Sequence, residues 1–148
     1  MMKRALFGAV LAGCIASPAL ALEHEVVIDH VSGPIAADYT GAVTVETRQT
    51  GTVGAAGRPS TLRCEWTASL TVERTAKLRD TMSSRRTLTN EDVASGSRPG
   101  WCETQTKAID KLVEARRESF RGAMLAMVEQ DRAALLAEAD STPTGNRG

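Results

Sequence analysis

Hydrophobic and polar positions alternate without interruption over residues 61–74. Leu62, Cys64, Trp66, Ala68, Leu70 and Val72 fall on one side, and Arg63, Glu65, Thr67, Ser69, Thr71 and Glu73 on the other. Period two over so long a run predicts a strand with one dry face and one wet face, as in an antiparallel sheet covered on one side. Residues 35–49 repeat the pattern, with Ile35, Ala37, Tyr39, Gly41, Val43 and Val45 opposite Asp38, Thr40, Thr44, Glu46 and Arg48, and with a bulge expected near Gly41. Residues 25–31 form a short β-branched run that stops at Gly33-Pro34, a strand followed by a turn. Residues 84–89 are expected to add a fourth, exposed edge strand, and Gly96-Ser97-Arg98-Pro99-Gly100 reads as a loop.

From about residue 104 to 138 the period becomes helical. Ile109, Leu112, Val113, Phe120, Ala123, Met124, Met127 and Leu135 share one stripe, with acids and bases alternating elsewhere. At ~1.5 Å per residue such a helix reaches about 50 Å, longer than a compact domain of this size is expected to be wide. A bend at Gly122 or a projecting end would reconcile the two, and Asp131 in the stripe suggests that the helix has left the core there. Strands in sequence followed by a helix predict one α+β domain: a three- or four-stranded antiparallel β-meander covered on one face by a long C-terminal α-helix. Exposed apolar surface in the far half of the helix, at Met124, Met127, Val128 and Leu135, would mark an interaction face, most simply for a homodimer through that helix.

The start of the chain adds an address. Met1-Met2-Lys3-Arg4 is basic, residues 5–15 are apolar, and Ser17-Pro18-Ala19-Leu20-Ala21 ends on small residues at the two positions a signal peptidase reads. This is the layout of a secretory signal over 1–21, too short to remain as a membrane span. It divides the chain into that leader, a domain over 22–140 and a loose tail over 141–148, and predicts a periplasmic or secreted protein. Leu11-Ala12-Gly13-Cys14 also resembles a lipobox, at which bacterial lipoproteins are cut and acylated on the cysteine. Lipidation at Cys14 would anchor the protein to the membrane, but the apolar residues 15–21 that follow lack the polar tether expected after a lipidated cysteine, so cleavage after Ala21 is the favoured reading.

Removing the leader leaves 127 of 148 residues, the size of one domain, with 16 basic against 18 acidic side chains once Lys3 and Arg4 are gone. A balance so close to neutral gives no electrostatic case for a nucleic-acid partner. Two cysteines stay, Cys64 and Cys102, and an even pair in an oxidising compartment predicts one disulfide. The cations Arg74, Lys77, Arg79, Arg85 and Arg86 cluster around the fourth strand, where edge charges discourage sheet-to-sheet association.

Candidate chemistry is sparse. Gly51, Gly54 and Gly57 lie in a loop followed by neither Lys-Ser nor Lys-Thr, so they read as a hairpin connection rather than a phosphate cradle. There is no GxSxG, no HExxH and no carboxylate pair at catalytic spacing, and no cofactor is implied. The two histidines, His24 and His30, are the bases available to a small periplasmic hydrolase. Cleavage after Ala21 would also place His24 third from a free amine, a four-nitrogen arrangement suited to Cu(II) or Ni(II). The leading expectation is an exported, non-catalytic envelope protein, a binding or structural module for a protein or envelope component; the enzyme and the N-terminal metal binder are the alternatives.

Overall fold

The computed structural model describes residues 20–79 and 82–141. Four strands, β1 (Leu20–Ile28), β2 (Ile35–Thr50), β3 (Arg63–Leu78) and β4 (Met82–Pro99), form one antiparallel sheet in the order β1-β2-β3-β4. Two helices follow, α1 (Cys102–Ala115) and α2 (Arg117–Ser141), and cover one face of the sheet. The predicted α+β meander is the observed fold. The residues before Leu20, which include Cys14 and most of the predicted leader, and those after Ser141 lie outside the described residues; β1 itself begins at Leu20, so its first two residues precede the predicted cleavage point.

Alternation places the core. Val43, Cys64, Ala68, Leu70, Val72 and Ala76 are completely buried beneath the helices, while the opposite face carries Thr40, Thr44, Glu65, Thr67 and Glu73 in solvent. Both ladders run unbroken through Gly41, so the bulge expected there is absent. Gly41 serves the helix instead: a Cβ at this position would sit 3.1 Å from Met124 Sδ, so glycine lets α2 approach the sheet. The irregularity falls on the β3–β4 ladder, where Ala68 pairs with Ala94 but Leu70 pairs with Asn90.

β4 departs most from expectation. It spans 18 residues, and the segment read as a loop, Gly96 to Pro99, continues the ladder opposite Trp66, Glu65, Cys64 and Arg63. Packing overrides the turn-like composition there. Gly96 lies flat beneath the Trp66 indole, where an added Cβ would come within 2.8 Å of Nε1. The turn comes at Gly100, whose φ of 105° favours glycine, and its N–H donates to Leu62 O.

The helical segment is interrupted at Arg116 rather than Gly122, which sits inside α2. The earlier argument from length assumed a small sheet. β2 and β3 have 16 residues each, about 53 Å at ~3.3 Å per residue, which matches the reach of the helices. The helices therefore stay on the sheet from the Cys64 end to the Ile35 end. Met124, Met127, Val128 and Leu135 are all buried against it, so the apolar stripe read as an interaction face is filled by the chain's own strands. Asp131 remains inside the core, contrary to the reading that placed it beyond.

Two devices fix the start of α1 and a third fixes its end. Cys64 and Cys102 form the predicted disulfide, with Cα atoms 4.9 Å apart. The Gln49 amide caps the helix from β2, its Oε1 accepting from Cys102 N at 2.7 Å while Nε2 donates to Arg63 O and Gly100 O. Arg116 covers the Trp66 ring at 5.5 Å from its centroid. Trp66 is buried two residues along β3 from the bridge, whereas Trp101 is half exposed. The disulfide closes a separation of 38 residues, worth about 4 kcal/mol in the chain-entropy model. Reduction, or Cys64→Ser with Cys102→Ser, should lower the melting temperature by about 10–15 °C, measured by differential scanning calorimetry. An unchanged melt, or free thiols in protein recovered from an oxidising compartment, would contradict this account.

Candidate functional site

One row of the sheet carries polar side chains into the core. His24, Tyr39, Arg74 and Arg86 are register partners across all four strands. Each continues the inward parity of its strand, so the meander brings four polar groups to one line beneath α2. The next inward row offers Ser84 opposite Ala76.

α2 supplies the counter-charges at the spacing of its buried stripe. Asp131 Oδ2 accepts from Tyr39 OH at 2.9 Å and from Arg74 Nη1 at 2.8 Å, and Oδ1 accepts from Arg86 Nη1 at 3.1 Å. Two turns further on, Glu138 accepts from Arg74 Nη2 through both oxygens at 3.1 Å and from Ser84 Oγ at 2.6 Å. The Arg74 and Asp131 side chains are both 0% exposed. Two guanidiniums face two carboxylates, so the cluster is neutral as a whole, and Asp131 receives three donors. Of the buried side-chain atoms in the cluster, Arg74 Nε has no hydrogen-bond partner among the described residues.

The electrostatics follow from this enclosure. Burial, then the hydrogen bond and charge of Asp131, push the Tyr39 phenol well above its ordinary range, so it stays protonated and donates. Burial alone would lower Arg74, but its bonds to Asp131 and Glu138 more than reverse that, and the guanidinium stays charged. Burial alone would raise Glu138, yet donation from Ser84 and Arg74 holds its carboxyl below the ordinary glutamate value.

On its β4 side the cluster opens into a groove. Arg86, whose side chain is 47% exposed, lies at the mouth with Asp131 beneath it. A cleft of about 280 Å³ is lined by Arg86, Thr87, Leu88, Thr89, Met127 and Gln130. It continues past Ala123 and Ala126 to Glu91 and Asp92. Among the described residues Arg86 bonds to Asp131 through Nη1 alone, which leaves most of its N–H groups to face the groove. On the opposite side of α2, His24 lines a smaller cleft of about 210 Å³ with Tyr39, Leu125 and Arg132.

His24 and His30 therefore do different things. His24 sits in the β1 ladder opposite Tyr39. A four-nitrogen copper or nickel site would need Leu22 to His24 to leave that strand and wrap the ion. Among the described residues no group of three or more His, Cys, Asp and Glu is arranged to hold a metal. His30 lies in the β1–β2 turn, with Nδ1 2.7 Å from Ser32 Oγ and Nε2 2.8 Å from Asp140 Oδ1. The Ser32 amide also donates to Nδ1 at 3.2 Å, so Nδ1 is the acceptor and Nε2–H donates to Asp140.

That serine–histidine–aspartate contact has the members of a nucleophilic triad but not its surroundings. Beside Ser32 Oγ, the Ser32 N–H is committed to His30 and the Gly33 N–H to His30 O, so neither is free to stabilise an oxyanion. Asp140 is 71% exposed. The adjoining cavity, between Gly33, Leu78 and Ala139, is about 10 Å³, room for one water. The arrangement ties the end of α2 to the β1–β2 turn.

Of this region the sequence singles out His24 and His30 as bases and Met127 as part of an apolar stripe, but the joining of His24, Tyr39, Arg74 and Arg86 into one row beneath Asp131 was missed. Its signal was parity: Arg74 continues the inward series Cys64, Trp66, Ala68, Leu70, Val72, and Asp131 stands on the stripe of Met124, Met127 and Leu135. Charge led both to be assigned to the surface. Comparison with family models, with curated proteins and with solved structures gave no match.

Two outcomes test the cluster. Asp131→Ala removes the fully buried counter-charge of Arg74 and leaves Glu138 alone to compensate it, and should destabilise the fold by about 3 kcal/mol in urea titration; a loss below ~1 kcal/mol would mean the pair is not buried as described. Glu138 is depressed in the folded state, so its contribution is present above the ordinary value near 4.5 and is lost as pH falls through its lower folded value. Glu138→Gln should therefore flatten the acid limb of a stability-against-pH curve, and an unaltered limb would contradict the assignment.

Proposed function

We propose that this chain is an exported, non-catalytic binding module of the bacterial cell envelope whose ligand lies in the groove between β4 and α2, with an anionic group of that ligand on Arg86. The observation that carries this reading is Arg86 itself. A half-exposed guanidinium is held in place by a fully buried carboxylate at the floor of a groove, and its remaining donors suit a carboxylate. Pre-positioning by Asp131 means that little side-chain entropy is lost on binding. Gln130 adds a polar partner, and Leu88 and Met127 add apolar contact.

Export is supported by the leader-like start and by the Cys64–Cys102 bridge, which fits an oxidising compartment. Among the described residues no helix is long and apolar enough to cross a membrane. A hydrolase at His30 is the second reading, favoured by the Ser32–His30–Asp140 contacts and opposed by the committed amides and the one-water cavity beside them.

The test titrates the ¹⁵N-labelled protein with a random hexapeptide mixture carrying free C-terminal carboxylates, and with the same mixture amidated. The carboxylate mixture should shift amide resonances at Thr87–Asp92 and Gln130, the amidated mixture should shift them far less, and Arg86→Ala should abolish the response. Shifts confined to the His24 cleft, or none, would overturn the assignment of the site. His30→Ala should leave hydrolysis of an activated ester at the solvent rate seen with the unaltered chain; a measurable rate that this change removes would move function to the β1–β2 turn.

A further inference from the structure

β4 is an edge strand, and along it the charges are arranged as a palindrome. Arg85-Arg86 and Glu91-Asp92 flank Thr87-Leu88-Thr89-Asn90, and Arg85, Glu91 and Asp92 make no ion pair among the described residues. Long edges normally carry charge to prevent pairing. A pattern that is basic at one end and acidic at the other excludes parallel self-pairing, which would oppose like charges, but matches an antiparallel one.

We propose that two copies of this chain associate through β4, antiparallel about Thr89, into one continuous eight-stranded sheet. A two-fold axis perpendicular to the sheet sets Arg86 of each copy opposite Asp92 of the other and Leu88 opposite Asn90, with Arg85 diagonal to Glu91. The same axis keeps both helical layers on one face. Slipping the register by four residues in either direction separates the arginines from the acids, so the charges fix the alignment as well as the partner.

The dimer stands on the strand edge and its charges alone, not on the groove reading above. α2 packs over β2, β3 and β4, so at ~4.8 Å per strand the two α2 axes would lie about 14 Å apart across the joined β4 strands. Subtracting a helix diameter of ~10 Å leaves about 4 Å, too narrow for an extended chain. Pairing through β4 and occupation of the groove therefore exclude one another, and Arg86 takes either Asp92 of the other copy or the ligand.

Sedimentation equilibrium of the full exported chain tests this directly. The unaltered protein should sediment at twice its monomer mass at tens of micromolar. Arg85→Glu, and separately Glu91→Arg, should each weaken association at least about tenfold, because each sets like charges diagonally across the axis. These side chains are exposed, so both variants should keep the wild-type melt. Mixing the two should recover a dimer, since Glu91 of the first then meets Arg85 of the second, the two introduced charges meet each other, and Arg86 keeps Asp92 on both sides. Thr89→Cys should crosslink to itself under mild oxidation, whereas Ser95→Cys should not. A monomer at all concentrations, dimers unaffected by these changes, or open-ended oligomers from β4 meeting β1 would each overturn the proposal.

Discussion

Asp131 is the point on which the two layers of this protein are joined electrostatically. It accepts hydrogen bonds from Tyr39 on β2, Arg74 on β3 and Arg86 on β4 while belonging to α2, so one carboxylate fixes the helix against three strands. Apolar packing alone leaves a helix some freedom to slide along a long, regular sheet, because leucine-sized contacts can be exchanged for similar ones. A buried charge cannot be exchanged in this way, since displacing it by one turn would leave both Asp131 and Arg74 uncompensated in a dry interior. The cluster is better understood as a register pin than as a source of net stability.

The remaining constraints act along the same axis from the two ends. At one end the Cys64–Cys102 bridge and the Gln49 cap hold the first turn of α1 to β2 and β3. At the other, His30 in the β1–β2 turn bonds to Asp140 in the last turn of α2. Between them Gly41 lets Met124 approach the strands, and Gly96 lets Trp66 lie flat beneath Arg116. The helical layer is thus fastened at its start, middle and end, and its interruption at Arg116 falls where the guanidinium covers Trp66.

This fastening also shapes the surface. A helix pinned centrally over the sheet leaves clefts on either side, one toward β1 and one toward β4. The β4 cleft is the one whose floor is charged, because Arg86 is the outermost member of the row that Asp131 gathers. Stability and the proposed binding chemistry therefore share residues: the carboxylate that positions α2 also positions the guanidinium proposed to take a ligand.

The fold class was legible in the alternation of β2 and β3, the helical period after residue 104 and the two cysteines, because burial of one face imposes those periods whatever the sequence around them. Element limits were less legible where packing opposes local preference. Gly96 to Pro99 has turn composition but lies in a strand because Trp66 requires a glycine above it, and the helix breaks at Arg116 although Gly122 is the weaker helix former. The polar row was written in the parity of Arg74 and the stripe position of Asp131, yet a single charged residue at an inward position has no meaning until its counter-charge is known. Arg74 and Asp131 stand 57 residues apart in sequence, and nothing local to either announces the other. Only the meander register, which aligns Tyr39, Arg74 and Arg86, and the path of α2 above them decide that these charges meet inside the protein rather than in water.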